Sequence, residues 1–230
     1  MQYETIFFDL DHTLWDFERN SYEALSELAD KYKLIEKGVS SLKSFINDYF
    51  VINELLWDEY RKGSITKESL RYERFYRTLK KYEIEDFQLA KSFGDDYVSI
   101  SPFKTHLFPH SVEILDYLKD NYSLHIITNG FEEVQHLKLK NCKLDRYFTE
   151  VITSERSGYK KPDARMFHFS LAATNENPEN CLMIGDSLEA DILGAKKVGI
   201  DQVYFNPQGN FHSEILTHEI KSLVELKDFL

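Results

Sequence analysis

Asp9 and Asp11 stand two residues apart, directly after the apolar run Ile6-Phe7-Phe8. On an extended chain such residues share a face, so both carboxylates are expected to project together from the end of a strand. Two charges that close raise one another's pKa unless a cation or a proton lies between them, and the pair therefore asks for a metal ion. An Asp-x-Asp pair alone is also an ordinary turn or helix-capping signal. Three later stretches bear on the choice. In Ile126-Ile127-Thr128-Asn129-Gly130 a hydroxyl, an amide and a glycine close an apolar run. This is either a simple Asn-Gly turn or a cradle in which the Thr128 hydroxyl and the amides near Asn129 and Gly130 donate to an oxyanion such as phosphate. In Ser157-Gly158-Tyr159-Lys160-Lys161-Pro162-Asp163 a lysine is held by a proline suited to open a helix. It is either a solvated surface charge or, placed over a carboxylate and a phosphate, a fixed positive charge that neutralises both. In the stretch from Met183 to Asp191 the apolar run ends at Gly185, where the backbone can pass close to a neighbour. Asp186 then emerges as a ligand or as a helix cap, and Asp191 follows about one helical turn later.

The elements that must position these residues can be read from periodicity. Ile6-Phe7-Phe8 suits a strand covered on both faces of a parallel sheet, and open α/β sheets bind ligands at the carboxyl ends of their strands. After Trp15 the pattern turns helical for about eighty residues, far longer than a loop. Tyr22, Leu25, Leu28 and Tyr32 recur at three- and four-residue spacing, as do Leu42, Phe45, Ile46, Tyr49, Asn53, Leu56, Trp57 and Tyr60. Thr66 can cap a third helix, and residues 85–100 supply a fourth. The many aromatic residues here form a bundle core or, where a ring faces a cleft, a stacking surface for bases. From Pro102 and Pro109 onward, helices alternate with short apolar strands at 124–128, 150–153, 181–185 and 202–205, which predicts a parallel sheet. Helices are expected at 112–118, 132–139, 162–173 and 188–198, and the tail from Ser213 to Leu230 is expected to be helical. The expected organisation is a core of residues 1–14 and 104–230 with residues 15–103 inserted.

Of the 230 residues, 42% are hydrophobic and 29% charged, which fits a folded globular chain. The 39 acidic residues outnumber the 28 basic ones for a formal charge of -11, which argues against a nucleic-acid polymer or an anionic membrane surface as partner. A small anion remains compatible if the site supplies positive charge. Cys142 and Cys181 are far apart and read as reduced, packed thiols. No apolar run approaches the ~20 residues of a membrane span and no signal peptide is visible at Met1, so a cytoplasmic location is expected.

Four signals in order, each after a strand, resemble the motifs of the haloacid dehalogenase-like superfamily of aspartate-nucleophile phosphatases. The resemblance implies a Rossmann-like, doubly wound α/β sheet of order 5-4-1-2-3 with an inserted α-helical cap domain. It implies that Asp9 attacks phosphorus, and that Asp11 protonates the leaving oxygen and later takes a proton from water. It implies Mg²⁺ held by the Asp9 side chain, the Asp11 carbonyl and Asp186. Lys161, which immediately precedes the proline, matches the family better than Lys160. Thr128, Asn129 and Gly130 would hold the phosphoryl oxygens, and Asp191 would steady Lys161 or the metal shell. His12 stands where many relatives carry glycine and is read as a packed or mouth-lining residue, less readily as a metal ligand or base. The runs DLDHTLWDF, IITNGFEEVQ, SGYKKPDARMF and IGDSLEADILGA are most similar to 5'-nucleotidases acting on pyrimidine and non-standard nucleoside monophosphates. The expected partner is therefore a small phosphorylated metabolite, with Phe17, Phe131 and cap aromatics as candidate nucleobase contacts or core residues. The chain is expected to be a monomer or weak homodimer. Phosphatases of sugar phosphates or phosphoglycolate use the same residues, and a catalytically idle module that binds phosphorylated ligands is the alternative of another class.

Overall fold

The computed structural model describes residues 3–230. The chain divides into two compact units, one made by the chain up to Phe17 with Thr105–Leu230, the other by Glu18–Lys104. In chain order, β1 (Thr5–Phe8) precedes the helices α1 (Phe17–Lys31), α2 (Leu42–Arg61), α3 (Lys67–Lys80) and α4 (Phe87–Ile100). Then come α5 (Ser111–Leu118), β2 (Ser123–Thr128), α6 (Glu132–Asn141), β3 (Glu150–Thr153), α7 (Ser154–Ser157) and α8 (Ala164–Thr174). The last elements are β4 (Cys181–Gly185), α9 (Gly194–Lys196), β5 (Asp201–Phe205) and β6 (His218–Ile220).

The strands form one parallel sheet of order β3-β2-β1-β4-β5-β6. This is the expected order read from the opposite edge, with a sixth strand outside β5. Ile6 and Phe8 pack on one face with Ile126, Ile184 and the α5 residues Ile114, Leu115 and Leu118. Phe7 packs on the other face with Ile127, Met183 and the α8 residues Met166, Phe167 and Leu171. Successive strand residues point to opposite faces, and both faces are covered, so β1 reads as a continuous apolar run with no polar alternation. Phe8 lies level with Ile126 and with Ile184. That register brings the residues after β1, β2 and β4 to the same, carboxyl end of the sheet.

In the helical unit the rings of Phe45, Tyr49, Phe75, Phe93 and Tyr97 make the core. Tyr49 stacks on Phe75 with centroids 5.2 Å apart, and Phe75 meets Phe93 at 5.0 Å. These five aromatics are therefore interior packing and not a stacking surface. Thr66 caps α3 by accepting from the Ser69 amide at 3.1 Å, as its position before the apolar repeat predicts. α3 and α4 approach so closely at Gly94 that a Cβ there would lie 2.8 Å from the Arg71 carbonyl oxygen.

Two local expectations are corrected. The tail is not helical: it holds β6 and a 3₁₀ segment at Leu223–Asp228. Ile220 is buried in the sheet core, and Leu223 and Leu226, three residues apart, both turn inward from the short 3₁₀ turn. Pro162 does not open its helix; α8 begins at Ala164, with Asp163 as cap accepting from the Arg165 amide. Both cysteines are free thiols. No helix among the described residues is long and apolar enough to cross a membrane.

Gly94→Val should destabilise the helical unit by about 1–3 kcal/mol through overpacking against α3. A urea midpoint equal to that of the parent chain would show that the crossing has slack.

Candidate active site

Lys161 is the charge on which the carboxyl end of the sheet converges. Its side chain is nearly inaccessible, at 3% exposure, and its ammonium meets Asp9 Oδ1 at 2.5 Å and Asp191 Oδ1 at 2.6 Å. The same nitrogen donates to Asp9 and, at 2.7 Å, to the Ile127 carbonyl, while Asp191 meets it as an ion pair. Asn129 fixes the backbone that carries this lysine. Its Nδ2 donates to the Lys161 carbonyl at 2.9 Å and its Oδ1 accepts from the Lys161 amide at 2.8 Å. The end of β2 thus sets the place of a loop thirty-two residues later.

β4 ends at Gly185, where a Cβ would lie 2.4 Å from Asp191 Oδ2, so only glycine lets that carboxylate pack across the strand end. Ser187, not Asp186, caps the following turn, its hydroxyl accepting from the Ala190 amide at 3.1 Å. The turn is a π-helical segment, Leu188–Leu193. Asp191 in turn accepts from the Ser187 amide at 3.0 Å. Asp186 is left for the site, where the fully buried Thr13 donates to its Oδ1 at 3.0 Å.

Asp9, Asp186 and Asp191 each offer a carboxylate oxygen, all within 4.8 Å of one another. Burial, with Asp191 and Asp186 adding to it against Lys161, holds the Asp9 carboxyl well above the usual carboxylate range. Burial and then the charge of Asp191 push Asp186 up to about 8. Burial alone would depress Lys161, but Asp191 and Asp9 overcome it and raise its pKa. When all ionise, three carboxylates share one ammonium, an excess of two negative charges in a desolvated place. A hard divalent cation that prefers oxygen ligands fits that donor set and that charge.

Asp11 departs from expectation, because its carboxylate does not join Asp9 in this cluster. β1 stops at Phe8, and the chain folds back at once. His12 takes a left-handed φ of 63° and donates its amide to the Trp15 carbonyl at 3.0 Å. The two-residue rule for an extended strand therefore no longer applies. Asp11 instead turns to α6, where Gln135 Nε2 donates to its Oδ2 at 2.7 Å and the Lys138 ammonium reaches its Oδ1 at 2.5 Å. Burial would raise the Asp11 pKa, but Lys138 and then Gln135 outweigh it and hold the group below the usual range. Lys138 is itself buried, its ammonium 3.8 Å from the centroid of the Trp15 ring.

The cradle also differs in detail. The Gly130 amide donates to the Thr128 hydroxyl oxygen at 3.0 Å and so is not directed at a ligand, while the buried Thr128 keeps its hydroxyl hydrogen for one. Gly130 instead makes room, since a Cβ there would fall 1.5 Å from Gln135 Nε2. His12 packs its ring 4.6 Å from that of Phe17, and Phe131 is buried at the start of α6. Gln135, Lys138 and Thr13 were not singled out in the sequence. The signal for the first two was there: with Val134 and Leu139 they form one helical face, which puts an amide and an ammonium where apolar residues would be expected.

Comparison with known proteins is consistent over the full chain. The profile of the haloacid dehalogenase-like hydrolases matches residues 3–199. The chain is 31% identical over 233 residues to the pyrimidine 5'-nucleotidase YjjG of Escherichia coli, covering 100% of this chain and 99% of that one. It is 33% identical over 236 residues to the pyrimidine 5'-nucleotidase PynA of Streptococcus pneumoniae, covering 100% and 96%. Among solved structures it is similar to the HAD-hydrolase YfnB of Bacillus subtilis, described as bound to magnesium, with a TM-score of 0.89 at 28% identity over 99% of this chain and 98% of that one.

Without a divalent cation the protein should lose thermal stability as pH rises from about 4, the ordinary range of a carboxylate, towards about 8, where Asp186 ionises in the fold. The proton that neutralises the cluster is lost across that window. Mg²⁺ should therefore raise Tm more at pH 8.5 than at pH 5. Equal Mg²⁺ shifts at the two pH values, measured against EDTA controls, would contradict this.

Proposed function

The chain belongs to the haloacid dehalogenase-like hydrolase family, and we propose that it is a Mg²⁺-dependent phosphomonoesterase that uses Asp9 as nucleophile and nucleoside monophosphates as substrates. The observation that carries this reading is the meeting of Asp9, Lys161, Asp186 and Asp191 in one buried cluster at the carboxyl end of the sheet.

Lys161 holds Asp9 by one oxygen, leaving Oδ2 to attack phosphorus. The new bond from Asp9 to phosphorus forms as the ester bond to the alcohol breaks, and Asp11 supplies the proton that the departing oxygen needs. Water then attacks the aspartyl phosphate, giving its proton to Asp11, and the Asp9 carboxylate is released with inorganic phosphate. Thr128 would donate its hydroxyl hydrogen to a phosphoryl oxygen, and the Lys161 ammonium would balance charge beside Asp9. Mg²⁺, held by the Asp9 and Asp186 carboxylates and the Asp11 carbonyl, would neutralise the phosphoryl oxygens. Phosphoryl transfer draws mainly on positioning and charge neutralisation, both of which these residues supply. The choice of nucleoside monophosphates is supported by the similarity to two pyrimidine 5'-nucleotidases. The helical unit Glu18–Lys104 is proposed as the cap that selects the substrate.

Asp9→Asn should abolish turnover without changing the circular dichroism spectrum. Asp11→Asn should slow turnover of a nucleoside monophosphate by about 10²–10⁴-fold. Pyrimidine and non-standard nucleoside monophosphates should be turned over by the parent chain with higher kcat/KM than sugar phosphates or phosphoglycolate. The reverse ranking would replace the substrate class, and phosphatase activity that survives EDTA would remove the metal.

A further inference from the structure

Both oxygens of Asp11 are held from a single helix, by donors three residues apart on α6. A carboxylate has about four acceptor positions. Gln135 and Lys138 take one on each oxygen and leave one on each. The arrangement fixes the rotation of the group without closing it. One position on each oxygen thus stays open to a water proton.

The surroundings are built for that purpose and not merely tolerant of it. Lys138 sits in a helix face with Val134 and Leu139, where an apolar side chain would pack without the desolvation of an ammonium. The Trp15 ring lies against that ammonium and restricts where it can go. Gln135 is 1% exposed, and its Oε1 is buried without a hydrogen-bond partner. Its amide is thus held for the bond to Asp11 at the expense of its other end. Gln135 reaches Asp11 only because Gly130 has no side chain in its way.

We propose that Gln135 and Lys138 are positioning residues that hold the Asp11 carboxylate as the base for the second half of the reaction, hydrolysis of the phosphoenzyme. In that step the water oxygen bonds to phosphorus, the bond from phosphorus to the Asp9 oxygen breaks with its electron pair returning to Asp9, and the water proton passes to an oxygen of Asp11. This rests on the aspartyl-phosphate reading above. Release of the carboxylate from α6 would leave it to rotate, and the hydrolytic step would slow more than the phosphorylation step.

The test uses the Mg²⁺-loaded full chain at one fixed pH, with p-nitrophenyl phosphate, whose leaving group needs no proton. Rapid quenching gives the rate of the first release of p-nitrophenolate and the steady-state rate that follows. Lys138→Met should raise the ratio of first-release to steady-state rate by about a hundredfold, the size expected for a misplaced catalytic group, with about one p-nitrophenolate released per protein before the slow phase. Gln135→Leu, which changes no charge, should raise the ratio in the same direction and carries the test if Lys138→Met fails to fold. A purely structural role would lower both phases together, and an unchanged ratio in a folded variant overturns the proposal. Asp11→Asn separates the two levels. If it shows the raised ratio and the α6 variants do not, only the positioning role falls; if it does not show it, the base role of Asp11 falls and the positioning role with it.

Discussion

A single ammonium, that of Lys161, stands among three carboxylates, two of which, Asp9 and Asp186, burial holds above the usual carboxylate range. Everything else at the sheet's carboxyl end is arranged around that imbalance. The Ile127 carbonyl and the Asn129 side chain hold the lysine and its loop, Gly185 admits Asp191, and Ser187 takes the capping duty so that Asp186 stays in the cluster. A cluster with an excess of negative charge in a desolvated place is costly for the fold and useful for binding a hard cation.

Asp9 and Asp11 are the same residue type two positions apart, and their environments push them in opposite directions. Asp9 is raised by burial among other acids, whereas Asp11 is lowered by a lysine and an amide from α6. Pairs of like groups driven apart by their surroundings are a common way for one site to divide nucleophilic and proton-transfer duties. The difference between their environments comes from the fold-back at His12, which ends the strand geometry between them and turns Asp11 towards α6.

The sheet was legible because a strand covered on both faces has no polar alternation, and Ile6-Phe7-Phe8 and Ile126-Ile127 say so directly. The four helices of the inserted unit were legible from three- and four-residue spacing and from caps such as Thr66. The tail was misread because a spacing of three between Leu223 and Leu226 is shared by α and 3₁₀ turns, and only pairing with β5 shows that residues 218–220 are a strand.

The amino-acid sequence by itself determined the fold class, the alternation of strands and helices up to β5, and the segments after β1, β2, β3 and β4 in which Asp9, Thr128, Lys161, Asp186 and Asp191 appear. These follow from local patterning, in which each residue's neighbours in the chain carry the information. Only the tertiary structure decided which cation each acid meets, that Asn129 grips the lysine loop and that Gly130 clears a path for Gln135. Those outcomes depend on distances between elements far apart in the chain, and a charge or a missing side chain acquires its meaning only from what is packed against it.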